Sequence, residues 1–263
     1  MSEQPAEMNT DPDETTDPTL STYAQHNGID RCVVRFGGAI SWLFVLLLIA
    51  ICSQVVLRKM GNNQAWLDDA QWWLYGLSMT VGFVYAITTQ SHVRVDVLYA
   101  NFRPEKKART EIFGLGWLLL PFLALMADIL FNYSWASFLV REGSDSPNGL
   151  HKLYLLKMSL PWLFILAMVA SISILTRHLK VIARVKLWTV LLAVFPAAWF
   201  VLTRLTHYVL WWFVYFTNPD IRSSRINKEP LLENAMWVGL LFLLLAIAIS
   251  FALDRRSTKR TLA

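Results

Sequence analysis

Few residues of this chain are placed to do chemistry, and Asp128 is the most conspicuous, a lone carboxylate inside the apolar stretch 112–140. Charge at bilayer depth is costly, so such a residue either marks an ion path or is neutralised by a neighbour. Asp128 therefore reads as a proton or cation site, or as the partner of a basic group on an adjacent helix. Arg204 and His207 lie close together in a second interrupted stretch, 187–216. With that stretch entering the membrane near Leu187, Arg204 falls about 17 residues in, where its long stem can snorkel to the far headgroups. His92, Arg94 and Asp96 form a third group, His-Val-Arg-Val-Asp, at the charged exit of stretch 70–91. A cation there favours a helix C-terminus, and the group should order the turn that follows. Arg141, Glu142, Ser144, Asp145 and Lys157 sit in a polar loop, either as a docking surface for another protein or as a solvated loop stabilising only itself.

Several chemistries find no support. Haem ligation needs histidines on facing helices. Of His26, His92, His151, His178 and His207 only the last lies within an apolar stretch, which leaves one bis-histidine pairing, His92 with His178 at helix ends. Cys32 and Cys52 are 20 residues apart along one expected helix, about 30 Å, out of disulfide reach. Phosphate loops, a nucleophile elbow and a zinc-protease helix are absent. Gly114-Leu115-Gly116 is too short for a dinucleotide fingerprint and better suits close helix packing. No cofactor or metal is expected, and the chain reads as a partner rather than an enzyme.

The elements that must carry these residues are membrane helices. The chain is 55% hydrophobic and 16% charged, more apolar surface than one soluble core of 263 residues can hide. Stretches 36–57, 70–91, 158–176 and 234–253 each supply about the 20 uncharged residues that cross a bilayer. Stretches 112–140 and 187–216 add two more, each long enough to tilt. Residues 1–30 differ, being acidic, rich in Thr, Pro and Ser, and without a cation, so they read as a disordered cytoplasmic tail and not as an export peptide. Lysines and arginines divide fifteen to eight between the two sides of a six-span layout, which puts both termini in the cytoplasm. Trp66, Trp72 and Trp73, and Trp211, Trp212, Tyr215 and Phe216, suit the outer interface. The net charge of +5 is accounted for by these span-end clusters, so nucleic acid is not an expected partner.

From Trp66 to Phe164 the order and spacing of motifs resemble the small membrane subunit of tripartite ATP-independent periplasmic (TRAP) transporters. The elements are Asp69-Ala70-Gln71-Trp72, the helix exit from Ser91 through Asp96 to Tyr99, a basic loop with Pro104 and Arg109, Leu120-Pro121-Phe122, and the loop from Arg141 to Leu150 followed by Lys157 and Pro161. Trp72 and Trp73 stand where many members carry an acidic residue and an arginine.

The resemblance implies an all-α polytopic protein of the bacterial inner membrane. It would have a four-helix small-permease core over 31–180 and an extension over 181–263 bearing two further spans. It implies a scaffold for a large permease subunit that helps dock a periplasmic substrate-binding protein, for sodium-driven uptake of an organic acid. His92, Arg94 and Asp96 would then meet headgroups or the large subunit, and Arg141, Glu142, Ser144, Asp145 and Lys157 the binding protein. The rival is a haem- or quinone-associated anchor of a membrane oxidoreductase. An autonomous transporter would need repeats and broken helices at the midplane, and no repeat relates the two halves.

Overall fold

A computed structural model describes residues 27–91, 102–218 and 223–261, and every regular element among them is helical. Helix α1 spans Gly28–Lys59, with Asp30 in its first turn and Arg58 and Lys59 in its last, each complementing the helix dipole. The acidic segment 1–26 lies outside the described residues, and the described chain starts at the first helix cap. Asn27 is the N-cap of α1, and Asp30 is fully buried rather than part of a solvated tail. Gly61, at φ +83°, makes the turn into α2, Ala65–Thr89, a left-handed position that glycine occupies without strain.

Helix α3 runs Pro104–Leu139 with a wide π turn over Gly114–Leu119, where Leu120 N–H donates to the carbonyl five residues back. Pro121 follows at once. It has no N–H to offer the Trp117 carbonyl, and a widened turn accommodates that loss. Helix α4 is Leu153–Ile182, carrying Pro161 within it.

Stretch 187–216 is not one straight span. It divides into α5, Leu187–Ala193, and α6, Phe195–Thr217, bent by 92° at Val194. Pro196 is the second residue of α6, a position that needs no donor and that disfavours continuation of the preceding helix. Two short helices, α7 (Ser223–Ile226) and α8 (Pro230–Glu233), fold Ile226 and Leu232 onto Val214 before α9, Ala235–Thr261.

The helices pack in the order α1, α2, α4, α3, α6, α9, with α5 also against α9. In their most apolar 18 residues α3 and α4 are 33% and 44% buried, against 11% for α1 and α9. The middle of the row is therefore core, around Leu120, Leu123, Ala170, Ile174 and Leu175, and its ends present apolar side chains outward. Glycines set the closest approaches: a Cβ on Gly116 would lie 2.1 Å from the Ala193 carbonyl oxygen, and one on Gly239 2.8 Å from Thr203 N. Gly116 thus does what small residues were expected to do, seating the π turn of α3 against the break between α5 and α6, while Gly114 meets nothing within 4 Å.

Among the described residues α1, α3, α4 and α9 are long and apolar enough to cross a membrane, and the bent pair counts as a fifth. Helix α2, at 25 residues, has the length, but Gln71, its aromatics and its small polar residues make it less apolar.

Candidate functional site

The polar residues gather at three depths. On the face that carries the α1–α2 turn, the loop between α3 and α4 is held in one shape. Helix α3 ends in a Schellman arrangement: Arg141 N–H donates to Phe138 O at 3.1 Å and Glu142 N–H to Ser137 O at 3.1 Å. Arg141 takes the left-handed position (φ +50°) where glycine is usual. Glu142 accepts hydrogen bonds from Lys157 Nζ and from Ser137 Oγ, both at 2.6 Å. The Lys157 ammonium, and next the Ser137 hydroxyl, hold the Glu142 carboxyl below its ordinary range. Lys157 also lies 4.5 Å over the Tyr133 ring. Further along, Ser144 N–H donates to Leu150 O at 3.0 Å and Ser146 N–H to Ser144 Oγ at 3.2 Å.

Asp69 fixes this loop to α2. Its Oδ2 accepts the Leu150 N–H at 2.8 Å, and a Cβ on Gly149 would collide with both Ser144 Oγ (2.3 Å) and Asp69 Oδ2 (2.5 Å). Two segments 81 residues apart in sequence are thereby one platform. Of the loop candidates, Glu142, Ser144 and Lys157 are engaged within it, whereas Arg141 and Asp145 are exposed on its surface. Beside it, Gln54 donates to Asp68, and Gln71 to Gln54, stitching α1 to α2. The Arg58–Asp68 pair at 3.6 Å is too exposed to add much.

Midway along α3 and α6, Asp128 meets Arg204. Nε of Arg204 is 2.9 Å from Asp128 Oδ2, a contact of charge, since its N–H is not aligned for a hydrogen bond. Tyr208, one turn beyond Arg204, completes the group: its hydroxyl donates to Asp128 Oδ1 at 3.1 Å and accepts from Arg204 Nη2 at 3.2 Å and Asn132 Nδ2 at 3.3 Å. This corrects the expected snorkelling of Arg204. The break at Val194 restarts the span at Phe195, so Arg204 is nine residues in, about 14 Å rather than about 25 Å. Arg204 thus lies near the middle of α6, and its partner comes from α3. Tyr208 went unnoticed in the sequence, although its spacing of four from Arg204 places both on one helix face.

On the opposite face, α1, α2 and α4 are tied by Asp30. Its Oδ2 accepts the Asn27 N–H at 3.0 Å and lies 3.6 Å from Arg177 Nε, while Arg177 Nη2 donates to Thr88 O at 3.4 Å. Next to it, His178 Nε2 is 2.8 Å from Gln90 Nε2. Asp30 and Arg177 were not candidates, yet an Asp three residues after Asn27 is an N-terminal capping signal. His92, Arg94 and Asp96 lie outside the described residues, as does any His92–His178 pairing. No group of three His, Cys, Asp or Glu suited to a metal occurs among the described residues.

The sequence model of the DctQ component of tripartite ATP-independent periplasmic transporters matches residues 47–181, just over half of the chain. No curated protein matches, and no solved structure does. The matched region begins within α1 and stops at the end of α4, so the platform and the Asp30 partner Arg177 lie inside it, while α5 to α9 lie beyond.

Proposed function

This chain belongs to the family of DctQ components of tripartite ATP-independent periplasmic transporters, and from that premise we propose that it scaffolds the large permease and presents a docking platform to a periplasmic substrate-binding protein. DctQ components are parts of a transporter, not of an enzyme family, and the apolar helices make this a membrane protein. The transporter would use a sodium gradient to take up an organic acid.

The observation that carries the proposal is the loop fastened by Asp69, Glu142 and Lys157, which holds Arg141 and Asp145 outward on a rigid base. The outward apolar faces of α1 and α9 offer the large permease and the lipid their surfaces. In this reading 31–180 is the four-helix core, 181–263 widens the scaffold, and six crossings (α1, α2, α3, α4, α6 and α9) put the fifteen-cation side and both termini in the cytoplasm of an inner membrane. His92, Arg94 and Asp96 would then face the cytoplasm, toward headgroups or the large subunit.

Reconstitution tests this directly. Proteoliposomes holding this chain, the large permease and the loaded periplasmic protein should show sodium-dependent uptake without ATP, and omission of this chain should abolish it. Uptake by this chain alone, or unaltered uptake without it, would overturn the reading. Single cysteines at Asn63 and Asn148, in a protein lacking Cys32 and Cys52, should react with an impermeant thiol reagent from outside, and one at Ser257 should not.

A further inference from the structure

Where α4 ends, the chain continues as a short extended link, with Ala183 and Lys186 both in the β region, before α5 starts at Leu187. Lys180, in the last turn of α4, and Arg184, in the link, are exposed and line one shallow concavity of about 460 Å³. The link is fastened to α9. Lys186 Nζ reaches Asp254 Oδ2 at 2.6 Å, the Trp188 ring meets Phe251 edge to face, and Arg184 lies within electrostatic reach of the same Asp254 carboxylate. Arg255, next to Asp254, is exposed. In the row of helices α3 and α6 separate α4 from α9, so it is this fastening that draws cations from both into one corner.

Lys186 matches the charge of Asp254, whereas Lys180, Arg184 and Arg255 are in no ion pair among the described residues. Helix dipoles account for only one of these three cations. Lys180 stands in a last turn, but Arg184 lies beyond α4 and Arg255 lies well before Thr261, the end of α9. Close to them in sequence, Val181, Val185 and Leu187 are exposed and apolar. The helical segments that end here, Leu153–Ile182 and Ala235–Arg255, are each long and apolar enough to cross a membrane, and lipid headgroups begin where such a segment ends. A zwitterionic headgroup brings its own cation and leaves the three unmatched. A small soluble anion leaves the apolar side chains uncovered. We infer that the corner binds an anionic phospholipid, with its phosphodiester against Lys180, Arg184 and Arg255 and its acyl chains along Val181, Val185 and Leu187. The site depends neither on the scaffold reading nor on which side of the membrane it faces.

The test carries a bimane fluorophore on Leu187→Cys, in the full chain lacking Cys32 and Cys52, held in phosphatidylcholine nanodiscs. Phosphatidylglycerol or phosphatidylcholine with a nitroxide near the head of one acyl chain is titrated in as quencher. Phosphatidylglycerol should reach half-quenching at a mole fraction about tenfold lower, and Arg184→Gln should narrow that ratio about fivefold, the contribution of one cation near an anionic headgroup. Lys180→Gln combined with Arg184→Gln should leave the two lipids equal, whereas Arg184→Lys, which keeps the charge, should keep the preference. The same fluorophore on Ile49→Cys, at an exposed position of α1 at the other end of the row, should be quenched alike by both lipids. Equal quenching at Leu187, or a preference that survives removal of both charges, would overturn the inference. So would an equal preference at Ile49, which would mean general attraction of the lipid to a cationic protein. Loss of the preference in millimolar inorganic phosphate would also overturn it, by assigning the cations to a soluble anion.

Discussion

Replacing Arg204 with methionine keeps the length and apolar stem of the side chain while stranding the Asp128 carboxylate between α3 and α6. Removing one member of a buried ion pair destabilises by about 3–5 kcal/mol. Here the side chains of Arg204 and Asp128 are 31% and 17% exposed, so solvent screening brings the cost below that range, to about 2–3 kcal/mol. Asp128→Leu should cost a similar amount by leaving the guanidinium unmatched. The double variant, Asp128→Leu with Arg204→Met, removes both charges and should return close to the parent, giving a coupling of about 4–6 kcal/mol, the sum of the two single costs. Tyr208→Phe deletes the donor to Asp128 Oδ1 and the acceptor for Arg204 Nη2 and Asn132 Nδ2, and should cost about 1 kcal/mol. The measurement is reversible unfolding of the full chain in mixed micelles, run as a double-mutant cycle. Additive single effects, with coupling under about 0.5 kcal/mol, would refute the pairing and return Arg204 to the headgroup interface.

Other positions give contrasts that separate fold from function. Gly116→Ala drives a Cβ into the Ala193 carbonyl and should destabilise by about 1–3 kcal/mol, whereas Gly114→Ala meets nothing and should stabilise slightly; thermal midpoints of the two variants decide. Arg141→Gly relieves a left-handed residue and should raise stability by about 0.5–1 kcal/mol. It should also weaken capture of the periplasmic protein, while a loop without a partner would show only the gain in stability. Asp69→Leu orphans the Leu150 N–H, and a nitroxide at the exposed Asn148 should become mobile in that variant. The same label reports on Glu142: its pKa is lowered in the folded loop, so its contribution is complete above the ordinary glutamate range and is lost as pH falls through the lowered value. The label should loosen with acid in the parent, and Glu142→Gln should show no such step.

What was legible in the sequence is what hydropathy reports, the preference of a segment for lipid over water. That fixes the apolar stretches, and the family motifs around Asp69 and Arg141–Leu150 were visible as separate marks. Their union was not, because a carboxylate accepting one backbone N–H across 81 residues leaves no periodicity to read. Hydropathy is equally silent about backbone hydrogen bonds. Stretch 187–216 stays apolar straight through Pro196, and only the missing N–H of that proline says that the helix must restart. The consequence is larger than a bend. Moving the helix start from Leu187 to Phe195 shortens the run before Arg204 by about 12 Å, and Arg204 comes to lie beside Asp128. An intramembrane charge therefore cannot be assigned a partner from its neighbours in sequence. It can be assigned one after every breaker in its own span, and in the facing span, has been located, and in this chain the π turn before Pro121 and the break before Pro196 lie against each other.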